Sequence, residues 1–224
     1  PMALDNQMLA SCEIVKAVAN RVHQQIPFPE FNDNLNSKNM DSAYFEITGW
    51  PGYMPTPLIS LDKLASHCGV ASVFYKDESQ RLDMKSFKAL GGAYAVAKLV
   101  TKQAAMGIDP ESITVTTATD GNHGRSVAWG AQQAGCRAEI YIHKHVSEQR
   151  ADAMTIFGAK VNRISGNYEA SLEACKADAE ANNWHIVSDT SWTGYREIPC
   201  DIMAGYSVMG REVVNQLGSA RLTH

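Results

Sequence analysis

Apolar residues recur at two different spacings along this chain, and the switching between them sets the expected architecture. Ile14, Val15, Val18 and Val22 make an apolar stripe that predicts a helix over residues 5–24. Residues 26–57, rich in Pro, Asn, Asp and Gly, read as a long irregular segment ending in Pro55-Thr56-Pro57-Leu58. Ser60 is expected to cap a short helix through Leu61, Leu64 and Ala65 that closes at Gly69, and residues 70–75 read as a short strand. Leu90, Ala93, Ala97 and Val100 then recur at helical spacing behind Ser86, a good N-cap, so that Lys88 falls in a first helical turn.

From residue 113 the pattern alternates. Strands are expected at residues 113–117, 138–142, 160–164 and 184–187, and helices at 125–134, 168–182 and 202–217. A further helix, capped by Ser147, runs through Ala153, Met154 and Phe157 to Gly158. Gly135 and Gly218 stand at helix ends, and Leu172 and Cys175 face inward. Strand–helix alternation of this kind predicts an α/β fold with a parallel, doubly wound sheet. The last residues, Arg221-Leu222-Thr223-His224, read as the approach to another strand, and the sequence is expected to be the front part of a longer protein.

Composition narrows the classes. With 224 residues, 45% hydrophobic and 20% charged, the chain has an ordinary globular balance and room for one large or two small domains. A net charge of -4 argues against nucleic acid as the main partner. No apolar run reaches membrane-spanning length, and Pro1-Met2-Ala3-Leu4-Asp5 lacks the regions of a signal peptide. Cys12, Cys68, Cys136, Cys175 and Cys200 are odd in number, widely spaced and free of any Cys-x-x-Cys, which suits reduced thiols in a cytoplasmic protein. His143 and His145 would point the same way from a strand and could ligate a metal, but no third ligand stands near, so no metal is expected.

Three places carry candidate chemistry. A cation at a helix N-terminus opposes the helix dipole, so Lys88 is expected to have a lowered pKa and a larger neutral fraction, as Schiff-base chemistry with a carbonyl cofactor requires. The plain alternative is a surface lysine leaving a helix start. The turn Asp120-Gly121-Asn122-His123-Gly124 lies between a strand and a helix, where open α/β sheets bind ligands; its amides can face an anion, with the Asp120 carboxylate and Asn122 amide at the same mouth. The alternative is a glycine turn with ordinary turn formers. Asp189 follows a later strand and either faces the same crevice or caps a turn. No Gly-x-Gly-x-x-Gly follows a strand, so a dinucleotide domain is not expected.

Ser86-Phe87-Lys88 and Asp120-Gly121-Asn122-His123-Gly124, in this strand order and with Pro55-Thr56-Pro57-Leu58 and Lys76-Asp77-Glu78 before them, resemble the fold-type II pyridoxal-phosphate enzymes. Within that group Phe87-Lys88-Ala89-Leu90-Gly91-Gly92-Ala93, Thr119 to Arg125, Val127-Ala128-Trp129, Gln149-Arg150 and Asp189-Thr190-Ser191-Trp192-Thr193-Gly194-Tyr195 are most similar to the diaminopropionate ammonia-lyases. Asp120 is the informative position, since most relatives carry a small residue near there.

The resemblance implies pyridoxal 5'-phosphate held by Lys88, with Phe87 near its ring and Asn122 on its 3-hydroxyl oxygen. It implies a substrate carboxylate at Thr119, Asp120, Gly121, Asn122 and His123, and a distal substrate amine at Asp189. Lys88 would take the α-proton of the L-isomer and Asp120 that of the D-isomer, in an elimination yielding pyruvate and two ammonia. It further implies a homodimer when full length, and a small domain (91–195) inserted in a large one (1–90 and 196–224). The family's glycine-rich phosphate loop is absent from the sequence and is expected beyond His224. Alternatives are a serine or threonine dehydratase or a racemase on the same fold, and an inactive truncated fragment unable to hold the cofactor.

Overall fold

The computed structural model describes residues 35–218. The helix expected at 5–24 and the strand approach expected at 221–224 lie outside the described residues. The first element among the described residues is a helix, α1 (Ser37–Thr48), inside the stretch expected to be irregular. The Asn36 side chain caps it by accepting from the Asn39 amide at 3.0 Å, and Ala43 and Ile47, one turn apart, are its buried residues. So short an apolar stripe among Asn, Ser and Asp reads as loop in sequence; packing makes it a helix.

A small antiparallel ribbon follows, β1 (Leu58–Ser60) against β2 (Phe74–Lys76), with α2 (Asp62–Cys68) between them. Gly69 closes α2 in the left-handed conformation, as expected, while β2 starts later than residue 70. α3 (Lys88–Ala104) comes next, and then a regular alternation: β3 (Thr114–Ala118), α4 (Asn122–Ala134), β4 (Arg137–His143), α5 (Glu148–Thr155), β5 (Lys160–Ile164), α6 (Tyr168–Asn182) and β6 (His185–Ile186). The long α7 (Glu197–Leu217) closes the described chain. α7 starts ahead of residue 202 because Pro199 sits in its first turn, where a missing N–H breaks no helical bond.

β3 to β6 form one parallel sheet in the order β5-β4-β3-β6. The crossovers through α4 and α5 run one way across it and the crossover through α6 runs back, so helices cover both faces. The strand order therefore reverses between β3 and β6. Val115, Ile140, Ile142, Val127, Met154 and Val187 fill the core, together with Ala95 and Val96 of α3.

α3 packs between α4 and α7 at unusually short range. A Cβ on Gly205 of α7 would lie 2.1 Å from the Leu90 carbonyl oxygen, and one on Gly130 of α4 would lie 2.7 Å from the Ala93 Cα. Only glycine permits either approach. A second core joins α1 to this pair through Ala43, Ile47, Leu90, Tyr94, Ala204 and Val208.

The segment leading to α3 is tied down by charge. Arg81 is fully buried and binds Glu212 of α7 at 2.7 Å and Glu78 at 2.8 Å. Lys76 reaches the same Glu212 at 2.7 Å, and the Tyr53 hydroxyl donates to it at 2.8 Å. Beyond this anchor Leu82, Asp83 and Lys85 all hold positive φ (48°, 55° and 52°), strain that the fixed ends impose just before Lys88. Arg125 of α4 donates to the Met84 carbonyl at 3.1 Å and holds the loop from the other side.

Candidate active site

The carboxyl ends of β3 and β6 lie side by side, because Thr116 pairs with Ile186. The chain leaves β3 into Thr119 and Asp120, and leaves β6 into Ser188 and Asp189. The crevice expected from sequence thus lies at the point where strand order reverses, the usual ligand site of such sheets. Lys88 opens α3 beside it.

Lys88 is the first residue of α3, and the Ser86 hydroxyl accepts its amide at 3.3 Å while Phe87 occupies the cap position. Ser126 of α4 pins the same turn: its hydroxyl donates to the Lys88 carbonyl at 2.7 Å and accepts the Ala93 amide at 3.0 Å. The Lys88 amine reaches Asp189 Oδ2 at 2.6 Å and lies 5.3 Å from the centres of both the Phe87 and Tyr206 rings. Those rings meet edge to face with centres 5.0 Å apart.

This corrects the expectation for Lys88. Burial pulls its ammonium pKa down, but the bond to Asp189 and the neighbouring Tyr206 outweigh burial, and the net shift is upward. A helix end acts with a fraction of a charge, whereas Asp189 acts with a whole one at contact distance. Burial works on Asp189 the other way, raising it; the Lys88 ammonium bonded to it outweighs that, and its carboxyl is held below the ordinary value. In this state the pair is ammonium and carboxylate.

Thr119 is buried, and its hydroxyl accepts the Gly121 amide at 3.0 Å and the Gly124 amide at 3.2 Å. The Gly121 amide is therefore engaged inside the loop, and α4 starts at Asn122, whose side chain is exposed at the lip. The His123 ring is buried; its Nε2 donates to the Val187 carbonyl at 2.8 Å, leaving Nδ1 unprotonated at 3.8 Å from Asp189 Oδ2. Burial, with the Lys88 charge added, lowers the His123 pKa and keeps the ring neutral.

Asp120 takes a different position from Lys88 and Asp189. Its carboxylate is 59% exposed and accepts from His143 Nε2 at 3.0 Å, while Arg150 binds its backbone carbonyl at 3.2 Å. The structure thus brings Lys88, Phe87, His123 and Asp189 together, with Thr119 and Gly121 shaping the wall, and leaves Asp120 and Asn122 at the rim.

Tyr206 is the site residue that sequence reasoning missed. Its neighbours Ala204 and Gly205 are the signal, since small residues mark the place where α7 presses on α3. Burial pushes the Tyr206 phenol up to about 12. His143, weighed in sequence only as a metal ligand, serves Asp120 instead; among the described residues no group of His, Cys, Asp and Glu could hold a metal ion.

Among the described residues, three buried side-chain polar atoms have no hydrogen-bond partner, and two of them, His123 Nδ1 and the Tyr206 hydroxyl, flank the Lys88–Asp189 pair. Unsatisfied buried polar atoms beside one ion pair suit a polar ligand. The residues therefore fit a carbonyl cofactor with an aromatic ring: an amine to bond it, a ring pair beside the amine, and polar atoms awaiting partners.

Comparison with known proteins agrees. The family described as "Pyridoxal-phosphate dependent enzyme" matches residues 50–224. The diaminopropionate ammonia-lyase of Escherichia coli K12 is 40% identical over 183 residues, covering 77% of this chain and 46% of that protein. The corresponding protein of Salmonella typhimurium LT2 is 37% identical over 182 residues, covering 75% and 45%. A crystal structure of the Escherichia coli diaminopropionate ammonia-lyase in apo form superposes with a TM-score of 0.76 at 40% identity, over 80% of this chain and 51% of that one. The chain spans about half the length of the curated relatives it matches. With Lys88 beside the reversal point of a parallel sheet, the chain belongs to the pyridoxal-phosphate-dependent enzymes and has their fold-type II architecture.

Proposed function

We propose that this chain belongs to a diaminopropionate ammonia-lyase, in which 2,3-diaminopropionate, D or L, loses its β-amino group by elimination and its α-amino group by hydrolysis with one water, leaving pyruvate and two ammonia. The observation that carries the reading is the 2.6 Å pair of Lys88 and Asp189. When the Lys88 amine is engaged by the cofactor aldehyde, Asp189 loses its ammonium partner, and a half-buried carboxylate left alone is costly. A substrate with a second ammonium on its β-carbon restores the pair, which a serine or threonine hydroxyl cannot do.

Pyridoxal phosphate, when bound, supplies an electron sink for the substrate α-carbon. The protein's share is to hold and to move protons. Lys88 holds the cofactor through its amine, Phe87 packs near the ring and Asn122 receives the 3-hydroxyl oxygen. The first turn of α4, from Asn122 onward, favours the substrate carboxylate at its positive end. Lys88, once the substrate's α-amine has displaced its own amine from the cofactor, would take the α-proton from the L-isomer; Asp120 would take it from the D-isomer on the other face. Two bases on two faces give one protein both enantiomers.

The architecture that goes with this reading has residues 91–195 as a small mobile domain inserted in a large one formed from 1–90 and 196–224, with closure excluding water. The full-length protein is a cytoplasmic homodimer acting on a small amino acid, without nucleic acid or membrane. Among the described residues no helix is long and apolar enough to cross a membrane.

Pyruvate release from D- and L-diaminopropionate, serine and threonine, measured on the full-length protein loaded with cofactor, tests the proposal. Diaminopropionate should turn over fastest. Faster release from serine or threonine overturns it in favour of a dehydratase.

A further inference from the structure

His143 is the last residue of β4, and it stands beside the loop that leaves β3. Its Nδ1 accepts the His145 backbone amide at 3.1 Å. That bond requires a lone pair on Nδ1, so in the neutral ring the proton sits on Nε2. Nε2 is the atom 3.0 Å from Asp120 Oδ1. The backbone at His145 therefore sets the tautomer of His143, and the tautomer turns an N–H donor toward Asp120.

The support behind this ring is rigid. The Arg163 guanidinium donates to the Val146 carbonyl at 2.7 Å and to the His143 and Lys144 carbonyls at 3.4 Å, and binds Glu148 at 2.6 Å. It staples the turn that carries both histidines. Arg150 fixes the Asp120 carbonyl from the other side. The His143 side chain is only 17% exposed, while the carboxylate it holds is 59% exposed. An aspartate this exposed on a loop tip has little else to keep it in one rotamer.

We propose that His143 is the positioning residue for Asp120. Its Nε2–H occupies Oδ1 and fixes the carboxylate, so that Oδ2 is the oxygen presented to take a proton. The inference rests on the reading of Asp120 as the base for the D-isomer. In that step the substrate's α C–H bond breaks, the proton goes to Oδ2 and the electron pair stays with the substrate. Lys88 serves the L-isomer and has no contact with His143, so the two enantiomers report on the residue separately.

The test uses the full-length protein loaded with cofactor, as wild type, His143→Phe and His143→Gln. His143→Phe should lower the ratio of D- to L-diaminopropionate kcat/KM about tenfold, the scale of one hydrogen bond to a charged group. His143→Gln, which keeps an N–H donor at similar reach, should bring the ratio back to within about threefold of wild type. A merely structural role would lower both isomers together and leave the ratio alone, and that result overturns the proposal. Independently of turnover, the imidazole 15N shifts of His143 should report an Nε2–H tautomer whose Nε2 signal moves in Asp120→Asn. A His143 protonated on Nδ1 also overturns it. Wild type that turns over neither isomer removes the proposed function and this inference with it, whereas wild type that uses both isomers while the His143 variants keep its ratio removes the inference alone.

Discussion

Lys88 Nζ and Asp189 Oδ2 stand 2.6 Å apart although 101 residues of chain separate them. The contact joins the first turn of α3 to the loop after β6 and decides the charge of the amine. Asp189 itself is held by its flanks: the Tyr195 hydroxyl donates to the Ile186 carbonyl at 2.9 Å and accepts the Ser188 amide at 2.8 Å, while Ser188 and Thr190 hydroxyls pair at 2.9 Å.

Asp189→Asn should therefore lower the Lys88 pKa. The carboxylate and Tyr206 together lift it; without the carboxylate, Tyr206 alone is left against burial, which pulls it down. The rate of Schiff-base formation with pyridoxal phosphate, followed by absorbance against pH, should show its midpoint moved to lower pH. An unmoved midpoint would mean that Asp189 does not control the amine.

His123 should make the protein lose stability on the acid side. Its folded pKa is depressed below 6.5, so below that pH the unfolded chain binds a proton that the folded chain refuses. The contribution is fully present above 6.5 and lost as pH falls toward the folded value. His185, also lowered by burial, acts in the same direction, so His123→Gln should flatten the fall in Tm between about pH 7 and pH 5 without abolishing it. A slope identical to wild type would be the contrary result.

Arg81→Ala or Glu212→Ala should each cost about 3–5 kcal/mol in denaturant unfolding, because each strands a buried charge from a broken pair. Lys102→Ala, which breaks the exposed pair with Glu197, is the control and should change stability little.

Gly205→Ala should destabilise by at least about 1–3 kcal/mol, since its Cβ would meet the Leu90 carbonyl at 2.1 Å and neither backbone can move without opening α3 from α7. Gly210, on the same helix with nothing within 4 Å of a Cβ, should gain about 0.5–1 kcal/mol on substitution by alanine. Equal responses at the two positions would mean that α3 and α7 are not packed this closely.

Tyr168–Asn182 and Lys160–Ile164 begin and end where periodicity and caps place them, and Gly69 and Gly135 both stop helices in the left-handed conformation. These features are local: the spacing of apolar positions and the freedom of one glycine act over a single turn, so the sequence alone carries them. The parallel sheet follows from the alternation, and the crevice at the ends of β3 and β6 from the sheet. α1 was not legible, because its helix rests on Ala43 and Ile47 meeting α3 and α7, residues far along the chain. Nor was the charge state of Lys88 legible. Its helix position alone argues for a lowered pKa, but only the folded chain sets a full carboxylate against it, and a charge at contact distance outweighs a dipole. The same holds at Asp120, whose place in the turn was readable from sequence, and whose partner, His143 on the neighbouring strand, was set by sheet register alone.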